Sequence, residues 1–331
     1  MDSDRLFELR RRTFETPEFR GITFIEVEAK TIINHVPGDY LPFNWTINPY
    51  RGCSHACVFC FARATHTYLD MNAGRDFETK IVVKVNAPDV LKSQLAGRRW
   101  KGEHIAMGTA TDPYQRAEGR YELMTGIIAE LTRYRNPFSI LTKGTLILRD
   151  LDLLVEAHRV TDVSTAFSIP TLDEDAWRSS EPGTPHPRAR MDAVAALNDA
   201  GVACGVMLAP ILPGITDDRH KIREVVRAAI DAGATHVSPI LLHLRPGVRE
   251  GFMEWLRDSY PELVPRYQEM YRASAYASAA DRRETAGVVG TIMRAAGGLR
   301  PRPGVAARSH RGLTGGPRAT PRRKPSQLRL L

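Results

Sequence analysis

Six short β-rich runs alternate with amphipathic helical patterns along this chain, and that alternation allows few folds. The runs are 45–50, 104–109, 138–143, 163–168, 203–208 and 236–242. Between them apolar residues recur at the helical period. Over 121–134, Leu123, Met124, Ile127, Ile128 and Leu131 share one face; over 217–232, Ile222, Val225, Val226, Ala229 and Ile230 do the same. Asp217 stands where an N-cap belongs, Gly233 lies just past the end, and the helix near 188–200 stops at Gly201. A further short run, 81–84, leads into a helical segment at about 87–96. Parallel strands need a crossover, usually a helix, so the pattern reads as βαβ units and a parallel sheet. Six units are fewer than the eight of a closed barrel. The expected class is therefore α/β, a partial (β/α)6 barrel with an N-terminal extension and C-terminal helices.

The same reading divides the chain. Residues 1–43 mix charged and apolar positions without a clean period and read as an extension packed on the barrel, which spans 44–245. Residues 246–297 read as one or two helices, with Trp255, Tyr260, Tyr267 and Tyr271 supplying aromatic bulk. Residues 298–331 are rich in Arg, Pro and Gly. They carry too little apolar surface to offset the entropy of ordering, and are expected to be a disordered basic tail. From Leu299 onward there are nine Lys and Arg and no acid, which leaves 37 basic residues against 38 acidic ones in the rest. The net charge of +8 thus belongs to the tail. It argues for a basic tail that touches nucleic acid or is simply solvated, not for a basic body. With 43% apolar residues the chain can build a core without covalent staples. No apolar run approaches a membrane span, and the acidic start Met1–Arg5 lacks a secretory pattern, so the expected location is cytoplasmic.

Four cysteines occur, and three fall within eight residues: Cys53, Cys57 and Cys60. Such crowding points to a metal site more than to disulfides. Cys204 stands alone in an apolar run and reads as core. The three lie in the string NPYRGCSHACVFCFAR (48–63), directly after the first run, with C-x3-C-x2-C spacing. Soft thiolates favour iron–sulfur clusters or zinc. A four-iron cube held by three cysteines leaves one iron open, and that iron can chelate a molecule bearing an amine and a carboxylate. The methionine end of S-adenosylmethionine bears both. The other reading is a structural Cys3His zinc site with His55 or His66 as fourth ligand. His55 lies awkwardly between two ligands; His66 lies better.

With Phe59 before its last cysteine, the loop resembles the radical S-adenosylmethionine superfamily. The longer string, with Thr111-Asp112-Pro113-Tyr114-Gln115 and Thr142-Lys143, is similar to its spore-photoproduct-lyase-like group, over roughly residues 25–245. The resemblance implies that Cys53, Cys57 and Cys60 ligate a [4Fe-4S] cluster and that S-adenosyl-L-methionine binds beside it. It implies Phe59 near the adenine, Thr109 near the cofactor, Lys143 pairing with the cofactor's carboxylate, Ser168 on the ribose and Ala209 bordering the adenine. Asp112, Tyr114 and Gln115 are then candidates for substrate contact. Each has a plainer reading: Lys143 as a solvated strand-end lysine, Ser168 and Thr109 as turn hydroxyls. What unites them is position at the carboxyl ends of consecutive strands, where ligands of such folds bind. Glu181 and Arg190 are expected to pair and order the 181–190 loop, without a chemical role.

The resemblance further implies a one-electron reductant of flavodoxin or ferredoxin type and reductive cleavage to a 5′-deoxyadenosyl radical that abstracts hydrogen. The cofactors carry that chemistry and the protein orients it. Repair of a nucleic-acid lesion is one expected use, with the basic tail as the contact to nucleic acid. Members of that group carry a further cysteine that returns hydrogen, yet residues 61–203 contain none; Tyr114 or Tyr121 would have to replace it. Alternatives are a radical enzyme acting on a small molecule, peptide or RNA, and, in a different class, a zinc-binding interaction module.

Overall fold

The computed structural model describes residues 10–38, 41–302 and 305. Its strands are β1 (Arg10–Thr13), β2 (Thr23–Val27), β3 (Ile33–His35), β4 (Trp45–Ile47), β5 (Tyr50–Arg51), β6 (Lys80–Lys84), β7 (Ile105–Met107), β8 (Phe138–Thr142), β9 (Val163–Ser168), β10 (Cys204–Ile211) and β11 (Val237–Leu241). Its α-helices are α1 (Arg75–Thr79), α2 (Ala87–Leu95), α3 (Glu118–Tyr121), α4 (Leu123–Arg133), α5 (Leu151–Val160), α6 (Glu174–Ser180), α7 (Pro187–Asp199), α8 (Arg219–Asp231), α9 (Arg249–Ser259), α10 (Val264–Met270) and α11 (Ala279–Ala295).

All six β-rich runs enter one sheet of order β11-β10-β9-β8-β7-β4-β3, in which β4 and β7 to β11 are parallel and follow one another in chain order. Only β3, on the edge beside β4, is antiparallel. This is the partial (β/α)6 arrangement expected from the alternation. Its inner strands are buried on both faces, as a covered parallel sheet requires: Phe138, Phe167, Val206 and Leu208 on one face and Ala106, Ala166 and Met207 on the other are all buried. Cys204 is fully buried too, and burial pushes its thiol up to about 12, as suits a core residue.

A second sheet of order β1-β2-β6-β5 lies outside that pattern. Here β2 runs parallel to β6 from Thr23↔Lys80 to Val27↔Lys84, and β5 pairs antiparallel with β6 at Tyr50↔Val83. The run 45–50 is therefore two elements. Pro49, which has no N–H to offer a ladder, separates β4 in the main sheet from β5 in the second. The cysteine loop that follows is consequently anchored on both sheets.

Three details depart from the sequence pattern. The helix expected over 121–134 breaks at Glu122, which takes a left-handed φ of 50°. The cause is Glu118, whose buried carboxylate accepts the amides of Leu123 (3.1 Å) and Met124 (3.0 Å) and so starts a new helix, α4. The N-cap of α8 is Asp218, accepting from His220 N at 2.7 Å; Asp217 instead accepts from Gly214 N at 2.8 Å. The C-terminal region holds three α-helices, packed through Phe252, Tyr267 and Tyr271, all fully buried. Most of the tail read as disordered lies outside the described residues. Its beginning is docked: Arg302 Nε lies 2.7 Å from Asp199 and Val305 is buried. No helix among the described residues is long and apolar enough to cross a membrane.

Candidate functional site: the cysteine loop at the strand ends

The loop starts at Gly52, whose φ of 84° suits glycine; a Cβ there would lie 2.9 Å from both His66 Cε1 and Phe77 O. Cys53 N donates to Phe77 O (2.9 Å), Ala56 turns the chain in the left-handed region at φ 54°, and Cys60 N donates to Cys57 O (3.2 Å). Two side chains hold this path. Buried Arg63 donates from Nε to Cys57 O (3.0 Å) and from Nη2 to Ala56 O (3.1 Å), while its Nη2 pairs with Glu78 at 2.5 Å. Fully buried Gln115 accepts from Ser54 N (3.0 Å) and donates to Gly52 O (2.9 Å) and Thr111 Oγ1 (2.9 Å). The loop after α6 covers the outer side. Val58 N donates to Ser180 O (3.0 Å) and Gly183 N to His55 O (3.1 Å), and a Cβ at Gly183 would stand 2.2 Å from Ser54 O.

Beside the thiols the strand ends converge. Lys143, one residue past β8, donates from Nζ to Ser168 Oγ at 2.8 Å, lies 2.5 Å from Glu181 Oε1 and hangs over the Phe59 ring at 5.6 Å. Ser168, the last residue of β9, donates to Ala209 O at 2.6 Å. Ala209 lies inside β10, which runs on to Ile211. Buried Glu181 also pairs with fully buried Arg190 at 2.8 Å. Burial opposes charge on Glu181, but Arg190 and Lys143 outweigh it and hold the carboxyl below the usual range. The expected Glu181–Arg190 pair is thus present, and it reaches the site through Lys143. Nothing in sequence spacing signalled that link, since Glu181 and Lys143 lie far apart in the chain.

Thr109 exchanges hydrogen bonds with Asn48 (3.3–3.4 Å), on the stem of the loop. Asp112, Tyr114 and Gln115, read from the sequence as candidates for substrate contact, have their polar groups committed internally. Asp112 accepts from Thr142 Oγ1 (2.6 Å), Lys143 N (2.7 Å) and Tyr114 N (2.9 Å), and lies 3.3 Å from His55 Nδ1. Tyr114 is buried and donates to Asp150 at 3.0 Å. Gln115 braces the cysteine loop, as described above. These three tie the loop to β7 and β8. Asn48 and Arg63 have the same bracing role; both fall within the cysteine string, which was the available signal.

The three thiols form no disulfide. Burial raises the Cys57 thiol well above its ordinary value and brings Cys60 to about 11, so without a bound cation both stay protonated. Coordination to iron reverses that preference, because a metal deprotonates a ligating thiol. Among the described residues no group of three or more Cys, His, Asp or Glu is gathered tightly enough for a single metal ion. Of the histidines of the zinc reading, His66 Nε2 contacts Lys80 O at 3.0 Å, with its ring edge-on to Phe77, while His55 lies between Cys53 and Asp112. A soft, three-thiol set beside a cationic lysine, with no closed four-ligand group among the described residues, fits a cluster with one open iron better than a closed zinc site.

Comparison with known proteins agrees with this geometry. A protein of Mycobacterium tuberculosis described as uncharacterised is 50% identical over 266 residues, covering 80% of this chain and 78% of its own. Another, from Methanocaldococcus jannaschii, is 31% identical over 205 residues, 61% of this chain and 73% of its own. Among solved structures, spore photoproduct lyase with bound AdoMet and dinucleoside spore photoproduct superposes with a TM-score of 0.62 at 15% identity, over 90% of this chain and 86% of that one. A second spore photoproduct lyase complex gives 0.61 at 16% identity, over 88% and 84%. Residues 47–229, which include the cysteine loop, Lys143, Ser168, Glu181 and Ala209, match the Radical SAM superfamily model. The chain belongs to the radical S-adenosylmethionine superfamily.

Proposed function

We propose that Cys53, Cys57 and Cys60 hold a [4Fe-4S] cluster and that S-adenosylmethionine binds between it and the ends of β8, β9 and β10. The observation that carries this reading is the contact of Lys143 with Ser168, Glu181 and the Phe59 ring beside three free thiols. When bound, cluster and S-adenosylmethionine together supply reductive cleavage to methionine and a 5′-deoxyadenosyl radical for hydrogen abstraction.

The residues then divide the work of binding. An ammonium has three donors. Lys143 spends one on Ser168 and directs another at Glu181, leaving a third for a carboxylate. Arg190 offsets the charge of Glu181, so Lys143, Glu181 and Arg190 together carry one positive charge, the sign that suits an anionic group. Ser168 has committed its proton to Ala209 O and can receive a hydroxyl from the cofactor. Phe59, buried among these groups, keeps water from that side.

The nucleic-acid lesion reading draws on the fold shared with spore photoproduct lyase. Neither tyrosine considered as a replacement for the missing hydrogen-donating cysteine is free to act as one: Tyr114 donates to Asp150 and Tyr121 to Glu26, each at 3.0 Å. The reaction proposed is therefore radical formation and hydrogen abstraction, not a full lesion-repair cycle. A flavodoxin- or ferredoxin-type protein is the reductant in this reading, and the reducing cytoplasm is where such a cluster persists.

The test is anaerobic reconstitution with iron and sulfide, then dithionite and S-adenosylmethionine, with 5′-deoxyadenosine read by mass spectrometry beside Cys57→Ala. Product from the wild type alone is expected. A protein that holds iron and sulfide yet forms no 5′-deoxyadenosine would overturn the radical reading.

A further inference from the structure

His55 sits inside the turn that joins the first two thiols, and no step of the proposed chemistry uses it. Ala56 N closes that turn on Cys53 O at 3.3 Å, and Cys57 Sγ lies 3.9 Å from His55 O. The loop after α6 shuts the outer side: Gly183 N donates to His55 O at 3.1 Å, and a Cβ at Gly183 would stand 3.0 Å from His55 Cα. The imidazole is turned inward, with 4% of its side chain exposed. Its Nδ1 lies 3.3 Å from Asp112 Oδ2, and the ring stands between that carboxylate and Cys53.

Asp112 is a fixed support for this ring. Its carboxylate accepts from Thr142 Oγ1 (2.6 Å), Lys143 N (2.7 Å) and Tyr114 N (2.9 Å), so β8 and its own turn hold it independently of the cysteine loop. His55 is not a finished core contact, since buried Nδ1 makes no aligned hydrogen bond despite facing the carboxylate. A buried polar group left in that state costs stability unless its surroundings use it. An imidazole between a carboxylate and a thiolate faces an acceptor on each side and can carry a proton on each nitrogen. Asp112 then offsets the charge of the ring, so the pair acts on the sulfur through a hydrogen bond rather than through net charge.

We propose that Asp112 holds His55 so that the ring donates a hydrogen bond to Cys53 Sγ, and that this bond raises the reduction potential of the cluster. His55 is then a positioning residue acting through a ligand, not a ligand itself. The inference rests on the reading of Cys53, Cys57 and Cys60 as cluster ligands. Groups one step out from a metal's ligands tune it, and hydrogen bonds to cluster sulfurs set its potential. The reduced cluster carries more negative charge, so a donor at the sulfur favours it.

The experiment is a redox titration of the full, cluster-reconstituted protein without S-adenosylmethionine, with the reduced cluster read by electron paramagnetic resonance. Wild type is compared with His55→Leu/Asp112→Asn and His55→Gln/Asp112→Asn, which remove the paired charges together. At the wild-type midpoint the ratio of reduced to oxidised cluster should fall about tenfold in the leucine variant, a shift of about 60 mV to more negative potential for one electron. Glutamine keeps a side-chain N–H and should recover part of that loss. Equal midpoints in all three proteins overturn the proposal. A second measurement needs no variant. In wild type labelled with heavy-nitrogen histidine, electron–nuclear double resonance should show a ring nitrogen weakly coupled to the reduced cluster. No coupled histidine nitrogen overturns the hydrogen bond, and a strong coupling makes a histidine a direct ligand and overturns it too. If 5′-deoxyadenosine forms while the midpoints agree, the hydrogen bond alone fails; if the midpoint shifts without 5′-deoxyadenosine, the radical reading alone fails.

Discussion

Replacing Arg190 by methionine tests the electrostatic frame of the site. The side chain is fully buried, pairs with Glu181 at 2.8 Å, and donates to Pro185 O (2.8 Å), Ser168 O (3.1 Å) and Thr184 Oγ1 (2.5 Å). Methionine has similar reach and no donor, so Arg190→Met strips Glu181 of one of its two cations and takes the side-chain donor from two backbone acceptors, Pro185 O and Ser168 O, while Thr184 Oγ1 keeps Trp177 Nε1 at 2.9 Å. Removing one partner of a buried pair costs about 3–5 kcal/mol. The orphaned acceptors each add about 1–3 kcal/mol before relaxation and water entry recover part of it. We expect a net loss of about 4 kcal/mol in urea unfolding of the metal-free protein followed by circular dichroism, with an unchanged slope against urea. The double variant Arg190→Met/Glu181→Leu also removes the stranded carboxylate. It should be more stable than Arg190→Met alone, with a coupling of about 2 kcal/mol. A loss below about 1 kcal/mol in the single variant, or simple additivity in the double, would refute the reasoning.

Other perturbations probe the remaining braces. Gln115→Ala deletes the acceptor for Ser54 N and the donors to Gly52 O and Thr111; a loss of about 2–3 kcal/mol is expected, with less iron and sulfide retained on reconstitution. Full iron retention would show that the loop does not need this brace. Tyr114→Phe leaves Asp150 one donor short, costs about 1–2 kcal/mol and keeps 5′-deoxyadenosine formation; loss of product in a folded variant would return this tyrosine to the chemistry. Asp112 and Glu181 are both held below their ordinary values of 3.8 and 4.5; burial opposes this, and His55 for one and Arg190 for the other outweigh it. A depressed folded pKa means stability that is present above the unfolded value and lost as pH falls through the folded one. The urea midpoint should therefore hold above about pH 5 and decline below it, and Glu181→Gln should flatten that decline; an unaltered slope would count against the assignment.

The six runs and the thiol spacing were legible because both are local. A strand's apolar character and a helix's 3.6-residue period are written in neighbouring residues, and the three crowded cysteines sit on one short loop. The break at Glu122 was not legible, because its cause is the carboxylate of Glu118 returning to cap the next helix within a buried network with Tyr50 and Arg149. Nor was the split of 45–50, which depends on a second sheet recruiting β6 from beyond the cysteines.

By itself, then, the sequence determined the class of fold, the register of cysteines and the strand ends where a ligand belongs. Only tertiary structure decided which polar residues gather beside the thiols and which turn inward. Gln115 and Asp112 look as available in the string as Lys143 does, yet packing turns them onto loop amides and hydroxyls while Lys143 meets Ser168 and Glu181. The reason is physical: buried polar groups must find partners, and those partners come from segments dozens of residues apart, brought together only when the sheet closes its helices around them.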